Sequence, residues 1–148
     1  MAKALYLLFL AGVVLLSDGA PVDHGTAEKS CPLEVKILDA IRGIPAAGME
    51  VHVYKKAADD SWSEVATGKT TRDGEIHNLL NDENFLEGEY KVTFGTKSFW
   101  EGLNLNPFHL DHDVTFKAHT GGHQHYTIAV LLSPYSITTT AVVSSVQT

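Results

Sequence analysis

The stretch from His125 to Val143, HYTIAVLLSPYSITTTAVV, restricts the folds open to this chain more than any other. It is dense in β-branched and apolar residues, and Ser133-Pro134-Tyr135-Ser136 punctuates its middle. That is the pattern of two strands joined by a tight turn. Side chains on a strand alternate between faces with period two. On the first strand Ile128, Val130 and Leu132 share a bulky apolar face, and Thr127, Ala129 and Leu131 share the other. On the second, Thr138, Thr140 and Val142 oppose Ile137, Thr139, Ala141 and Val143. Small side chains cannot fill the roughly 10 Å gap between packed sheets. A Thr/Ala face therefore suits a lined cavity, a subunit seam or the mildly polar outside of an ordinary sheet.

The rest of the chain repeats the short-strand theme. Residues 33–40 (LEVKILDA) alternate, with Lys36 and Leu38 on one face and Val35 and Ile37 on the other. Residues 42–48 read as a loop from their Gly and Pro content. Strands are expected over 49–56, 62–70, 75–79, 89–94 and 113–118, separated by turn signals such as Asp59-Asp60-Ser61 and Arg72-Asp73-Gly74. Between 96 and 103 the period changes. Phe99 and Leu103 lie four apart, with Thr96 placed to cap a short helix. Gly121-Gly122 turns into the final hairpin. The fold class is all-β: a two-sheet β-sandwich of eight short antiparallel strands with one short helix.

The first nineteen residues carry a basic start (Lys3), a short apolar run and a small-residue end, Ser17-Asp18-Gly19-Ala20. That is the pattern of a secretory signal peptide cleaved after Gly19 or Ala20, with an apolar run shorter than the ~20 residues of a membrane span. Residues 20–30 are small and polar and read as a flexible arm, leaving 31–148 as one domain. The net charge is −7, and loss of the leader removes one charge of each sign. An acidic surface argues against nucleic acid or an anionic membrane as partner. The single cysteine, Cys31, excludes an intrachain disulfide, so stability must come from the core and from association.

Candidate chemistry is sparse. Ser133 has no Gly-x-Ser-x-Gly setting, and Asp59, Asp60, Asp82 and Glu83 read as solvated loop carboxylates. Of eight histidines, His123 and His125 share a strand face and could chelate zinc. Cys31 with His77 is a second weak zinc pair, and His109 stands near His112 and Asp111. None has the spacing of a structural zinc site, so no metal is required and the alternative is a solvated surface. Lys36 and Glu75 are more pointed. Each sits on a strand, and flanking the small-residue face they would form a charged rim to an apolar slot for a zwitterionic or anionic ligand.

Seven motifs in order carry a family resemblance: residues 31–40 (CPLEVKILDA), 56–60 (KAADD), 68–70 (GKT), 74–77 (GEIH), 96–100 (TKSFW), 107–109 (PFH) and 126–143. Together they span nearly the whole domain and resemble the transthyretin family. The resemblance implies a secreted, extracellular homotetramer, a dimer of dimers in plasma or cerebrospinal fluid. Its central channel would carry thyroid hormone, thyroxine or triiodothyronine, without a cofactor. It assigns the hormone site to Lys36, Leu38, Glu75, Thr127, Ala129, Val130, Leu131, Thr138, Thr140 and Val142. It assigns a retinol-binding protein surface to Ile41, Arg42, Asn104, Leu105 and Asn106. Strict alternation puts Val130 on the opposite face from the other channel residues. Val130, Ile137, Thr138, Asn104 and Asn106 stand where the family would lead us to expect Ala, Tyr, Ser, Gly and Ser. A related enzyme on the same fold, hydroxyisourate hydrolase, is the alternative. It would have His, Arg and His at the positions of Lys36, Glu75 and Thr127, and a Tyr-Arg-Gly-Ser end. The chain has none of these, and so no evident general base at those positions.

Overall fold

The computed structural model describes residues 31–119 and 124–145. The expected leader, the arm, the Gly121-Gly122 turn and His123 lie outside the described residues. Among the described residues nine strands and one helix follow in order. They are β1 (Leu33–Asp39), β2 (Ile44–Pro45), β3 (Glu50–Lys56), β4 (Trp62–Lys69), β5 (Glu75–Ile76), β6 (Gly88–Phe94), α1 (Thr96–Gly102), β7 (His112–Ala118), β8 (Gln124–Ser133) and β9 (Ser136–Ser145).

Two sheets result. One runs β4-β3-β6-β7 and is antiparallel throughout; the other runs β2-β1-β8-β9, with β5 also paired to β1. Since β8 pairs with β1 along its whole length, β2 and β5 must share the opposite edge of β1. The β1–β8 pair is parallel, which corrects the expectation of antiparallel strands throughout. Two further boundaries differ. Ile44–Pro45, expected in a loop, forms a two-residue edge strand, a position where proline's missing N–H costs no ladder bond. The strand expected over 75–79 pairs only at Glu75 and Ile76.

The period-two reading of the strands explains the core. Leu33, Val35 and Ile37 of β1 and Ile128, Val130 and Leu132 of β8 point inward. They meet Val51 and Val53 of β3 and Tyr90, Val92 and Phe94 of β6, with Trp100 of α1 against the same core. Each fully buried large side chain contributes about 1.5–3 kcal/mol. Gly95, not Thr96, occupies the N-cap of α1, and it lends no side-chain oxygen to the first turn. Thr96 is the first helical residue and is buried, so its hydroxyl turns inward and cannot cap. The amide of Phe99 donates to the Gly95 carbonyl instead.

At one edge of the sandwich β7 and β9 face each other across the two sheets. His112 Nε2 lies 2.6 Å from the Thr139 hydroxyl. Burial lowers the pKa of His112, outweighing the neighbouring Asp113 charge, and favours the neutral ring. Both faces of the far half of β9 are exposed, including Val142 and Val143.

Candidate functional site

The outer face of the β1-β8-β9 sheet is where the expected channel residues fall. Register partners on neighbouring strands point the same way and stand about 4.8 Å apart. Leu38 of β1 opposes Leu131 of β8, which opposes Thr138 of β9. One step along, Lys36, Ala129 and Thr140 form a row, extended on the other side by Glu75 of β5. The next row is Glu34, Thr127 and Val142. The result is a shallow surface of small and aliphatic side chains with charges at one margin. Leu38, Leu131 and Val142 are 38%, 45% and 56% exposed in the protomer, which is unusual for aliphatic groups in line on one sheet face.

Val130 does not join this surface. Its side chain is 1% exposed and belongs to the sandwich core, as strict alternation requires. Only its backbone lies in the sheet beside the row. The other nine residues of the expected site share the outer face or its margin.

The charged margin is a connected chain of side chains. The Lys36 ammonium donates to Glu75 Oε1, and Glu75 Oε2 lies 2.9 Å from His77 Nε2. The other nitrogen of His77, Nδ1, is 3.7 Å from Glu34 Oε1, and Glu34 Oε2 is 3.1 Å from His125 Nε2. His125 Nδ1 donates to the Cys31 carbonyl, and the Cys31 thiol donates to the carbonyl of His77. The hydrogen bond from Lys36, then the one from His77, holds the Glu75 carboxyl below its usual pKa. Lys36 is raised in turn, first by its hydrogen bond to Glu75 and then by that residue's charge. Burial and then the Glu34 charge raise the Cys31 thiol, which keeps it protonated and a poor nucleophile.

Three of the weak zinc candidates, Cys31, His77 and His125, therefore gather around Glu34. Glu34, Glu75 and His77 each offer an atom within 4.8 Å of the others. His109 takes no part. Its ring packs edge-on against Phe108, and its Nδ1 is buried. Glu34 is the residue that the reading of the sequence passed over. The signal was there, since the i, i+2 spacing that pairs Lys36 with Leu38 also puts Glu34 on their face.

The five residues expected to meet a protein partner stand on two loops. Asp39, buried at the end of β1, accepts the amides of Ile41 (2.9 Å) and Arg42 (3.0 Å) on Oδ1 and the Arg42 guanidinium on Oδ2. Burial alone would raise the Asp39 carboxyl, but these bonds outweigh it and hold the group below its ordinary value. Ile41 is thereby left pointing outward, largely exposed. Asn104 follows α1 with φ +58°, the left-handed region where glycine is favoured and asparagine is tolerated next. Leu105 beside it is partly exposed.

A family model, HIUase/Transthyretin family, matches residues 33–140. Among solved structures, a crystal structure of transthyretin from Sparus aurata is 53% identical, with TM-score 0.76, covering 78% of this chain and 99% of that one. A structure of sea bream transthyretin in complex with thyroxine is 52% identical, with TM-score 0.76, covering 80% of this chain and 100% of that one.

Proposed function

The chain belongs to the HIUase/transthyretin family, and from that premise we propose that it is a secreted thyroid-hormone carrier working as a homotetramer. The observation that carries this reading is the aligned outer face of β1, β8 and β9. Its rows of Leu38, Leu131 and Thr138, of Lys36, Ala129 and Thr140, and of Thr127 and Val142 are too small-featured to pack a second sheet. Two such faces brought together leave a channel between them. An aromatic, iodinated ligand buries its rings against Leu38, Ala129, Leu131 and Val142, and Lys36 and Glu75 meet its carboxylate and ammonium at the mouth. Thyroxine, the ligand of the sea bream relative, has this chemistry, and so does triiodothyronine.

Edge pairing supplies the assembly. The exposed, largely uncharged edge of β9 invites a second copy to extend the sheet. The partner surface at Ile41, Arg42, Asn104, Leu105 and Asn106 belongs to this proposal as a docking site for retinol-binding protein. So does a leader over 1–19 that directs the protein out of the cell, ahead of an arm over 20–30 and a domain over 31–148. The carrier reading is preferred to hydroxyisourate hydrolysis because Lys36, Glu75 and Thr127 stand where that reaction needs imidazoles and a guanidinium.

The test is equilibrium binding of radiolabelled thyroxine to the purified protein, with sedimentation on the same sample. Saturable binding by a species of four protomers' mass is expected. A monomer at micromolar concentration, or hydrolysis of hydroxyisourate in place of binding, would overturn the proposal.

A further inference from the structure

Glu34 adds a second carboxylate to a site that already has one beside Lys36. It shares the outer face with Lys36 and Leu38, and its register partners are Thr127 and, beyond it, Val142. Its oxygens face the imidazoles of His125 and His77, and His77 in turn bridges to Glu75. Atoms of Glu34, Glu75 and His77 lie within 4.8 Å of one another. Lys36 is the one ammonium among these side chains, and it is already engaged by Glu75. Two carboxylates this close repel, and they gain from a cation brought between them. An incoming ligand carboxylate, by contrast, must share Lys36 with Glu75 while approaching Glu34.

We propose that Glu34 is a specificity-determining residue: with Glu75 it forms an ammonium cradle at the channel mouth, so that the site favours zwitterionic amino-acid ligands over their deaminated, purely anionic analogues. This rests on the carrier reading and deepens it, naming the ligand feature that the mouth selects. Lys36 attracts the carboxylate common to both ligand types. Glu34 discriminates, because only the amino acid brings a positive charge to it.

The experiment compares thyroxine with its deaminated propionic-acid analogue, which keeps the same iodinated rings. Dissociation constants are measured at neutral pH with a chelator present, for the wild-type tetramer, Glu34→Gln and Glu34→Lys. The wild type is expected to favour thyroxine. Glu34→Gln should cut that preference about tenfold, mainly by strengthening the analogue, and Glu34→Lys should cut it further. A salt titration of the wild-type protein serves if both variants misassemble, since the preference should narrow as ionic strength rises.

A ratio indifferent to both variants, or indifferent to salt, overturns the role of Glu34 and leaves the carrier reading standing. If wild type binds neither ligand, the carrier reading falls and takes this inference with it. If discrimination appears only on adding zinc ion, a metal rather than an ammonium occupies the cradle, and the inference is overturned.

Discussion

Gly74 offers a stringent test of how the fold positions the charged margin of the outer face. It sits at φ +74°, immediately before Glu75, and its carbonyl accepts the Ile37 amide at 2.8 Å. A Cβ at this position would lie 2.4 Å from the Ile37 carbonyl oxygen, 3.0 Å from Pro45 Cβ and 3.2 Å from the Ala46 nitrogen. Two of these neighbours are main-chain atoms and the third belongs to a rigid ring, so relief needs the chain itself to move by about 1 Å. That movement strains the Ile37–Gly74 bond and the 2.9 Å bond from the Ala46 amide to the Ile37 carbonyl. Gly43 is the control, with φ +67° and no atom near the added methyl. The left-handed conformation alone costs Ala about 1 kcal/mol relative to Gly. Each buried backbone bond lost adds about 1–3 kcal/mol. Gly43→Ala should therefore destabilise by about 1 kcal/mol and Gly74→Ala by about 3–5 kcal/mol. Urea unfolding followed by tryptophan fluorescence measures both, at one fixed protein concentration because the proposed tetramer would make apparent stability concentration-dependent. Displacement of Glu75 should also weaken hormone binding in Gly74→Ala and leave it unchanged in Gly43→Ala. Equal destabilisation of the two variants, within about 0.5 kcal/mol, would refute the packing argument.

Three further outcomes are expected. Lys36→Ala should weaken thyroxine binding on the order of tenfold with the tetramer intact, because a solvent-exposed charge contributes at the low end of its range; competition binding with sedimentation reads both. Ala129→Trp should abolish binding by filling the channel, whatever the charge at the mouth, and normal hormone binding by this variant would place the site elsewhere. Asp39→Asn should cost about 1–3 kcal/mol near neutral pH, since an amide cannot serve the guanidinium and both amides as the carboxylate does. The folded-state carboxyl lies below its ordinary value of 3.8. Its contribution is therefore complete above that value and is lost as pH falls through the lower folded one. The gap between wild type and variant in urea unfolding should accordingly close on acidification below about pH 4.

Much of this was legible from local alternation. Ile128, Val130 and Leu132 against Thr127, Ala129 and Leu131 read directly as core against outer face, and Val35 and Ile37 against Lys36 and Leu38 did the same. Pairing between distant segments was not legible, because nothing in LEVKILDA or HYTIAVLL encodes which neighbour it takes or in which direction. The parallel β1–β8 pair is therefore visible only in the folded chain. Ile44–Pro45 read as a loop because Gly and Pro flank it, and its pairing depends on β1 being alongside. Thr96 has the chemistry of a cap, but packing beside Trp100 buries it. The assignment of Lys36 and Glu75 to one site came from parity together with family resemblance. Glu34 was overlooked because a glutamate on a strand ordinarily faces water, and its imidazole partners are 43 and 91 residues away in sequence.

The central place of β1 between its edge strands and β8 also governs how this protein comes into being. β1 is among the first parts of the domain to leave the ribosome, while β8 and β9 are its last strands. Until they emerge, Leu33, Val35 and Ile37 have only half of their sheet, and one whole edge of β1 stays unpaired. The sandwich thus closes late, through contacts of long sequence separation, which makes for slow folding and an exposed nascent strand. A chain cut short within β8 loses more than the outer-face rows of β8 and β9. It leaves β1 as a bare apolar edge, so truncation should send the protein to aggregates or to quality control instead of yielding a partly folded domain.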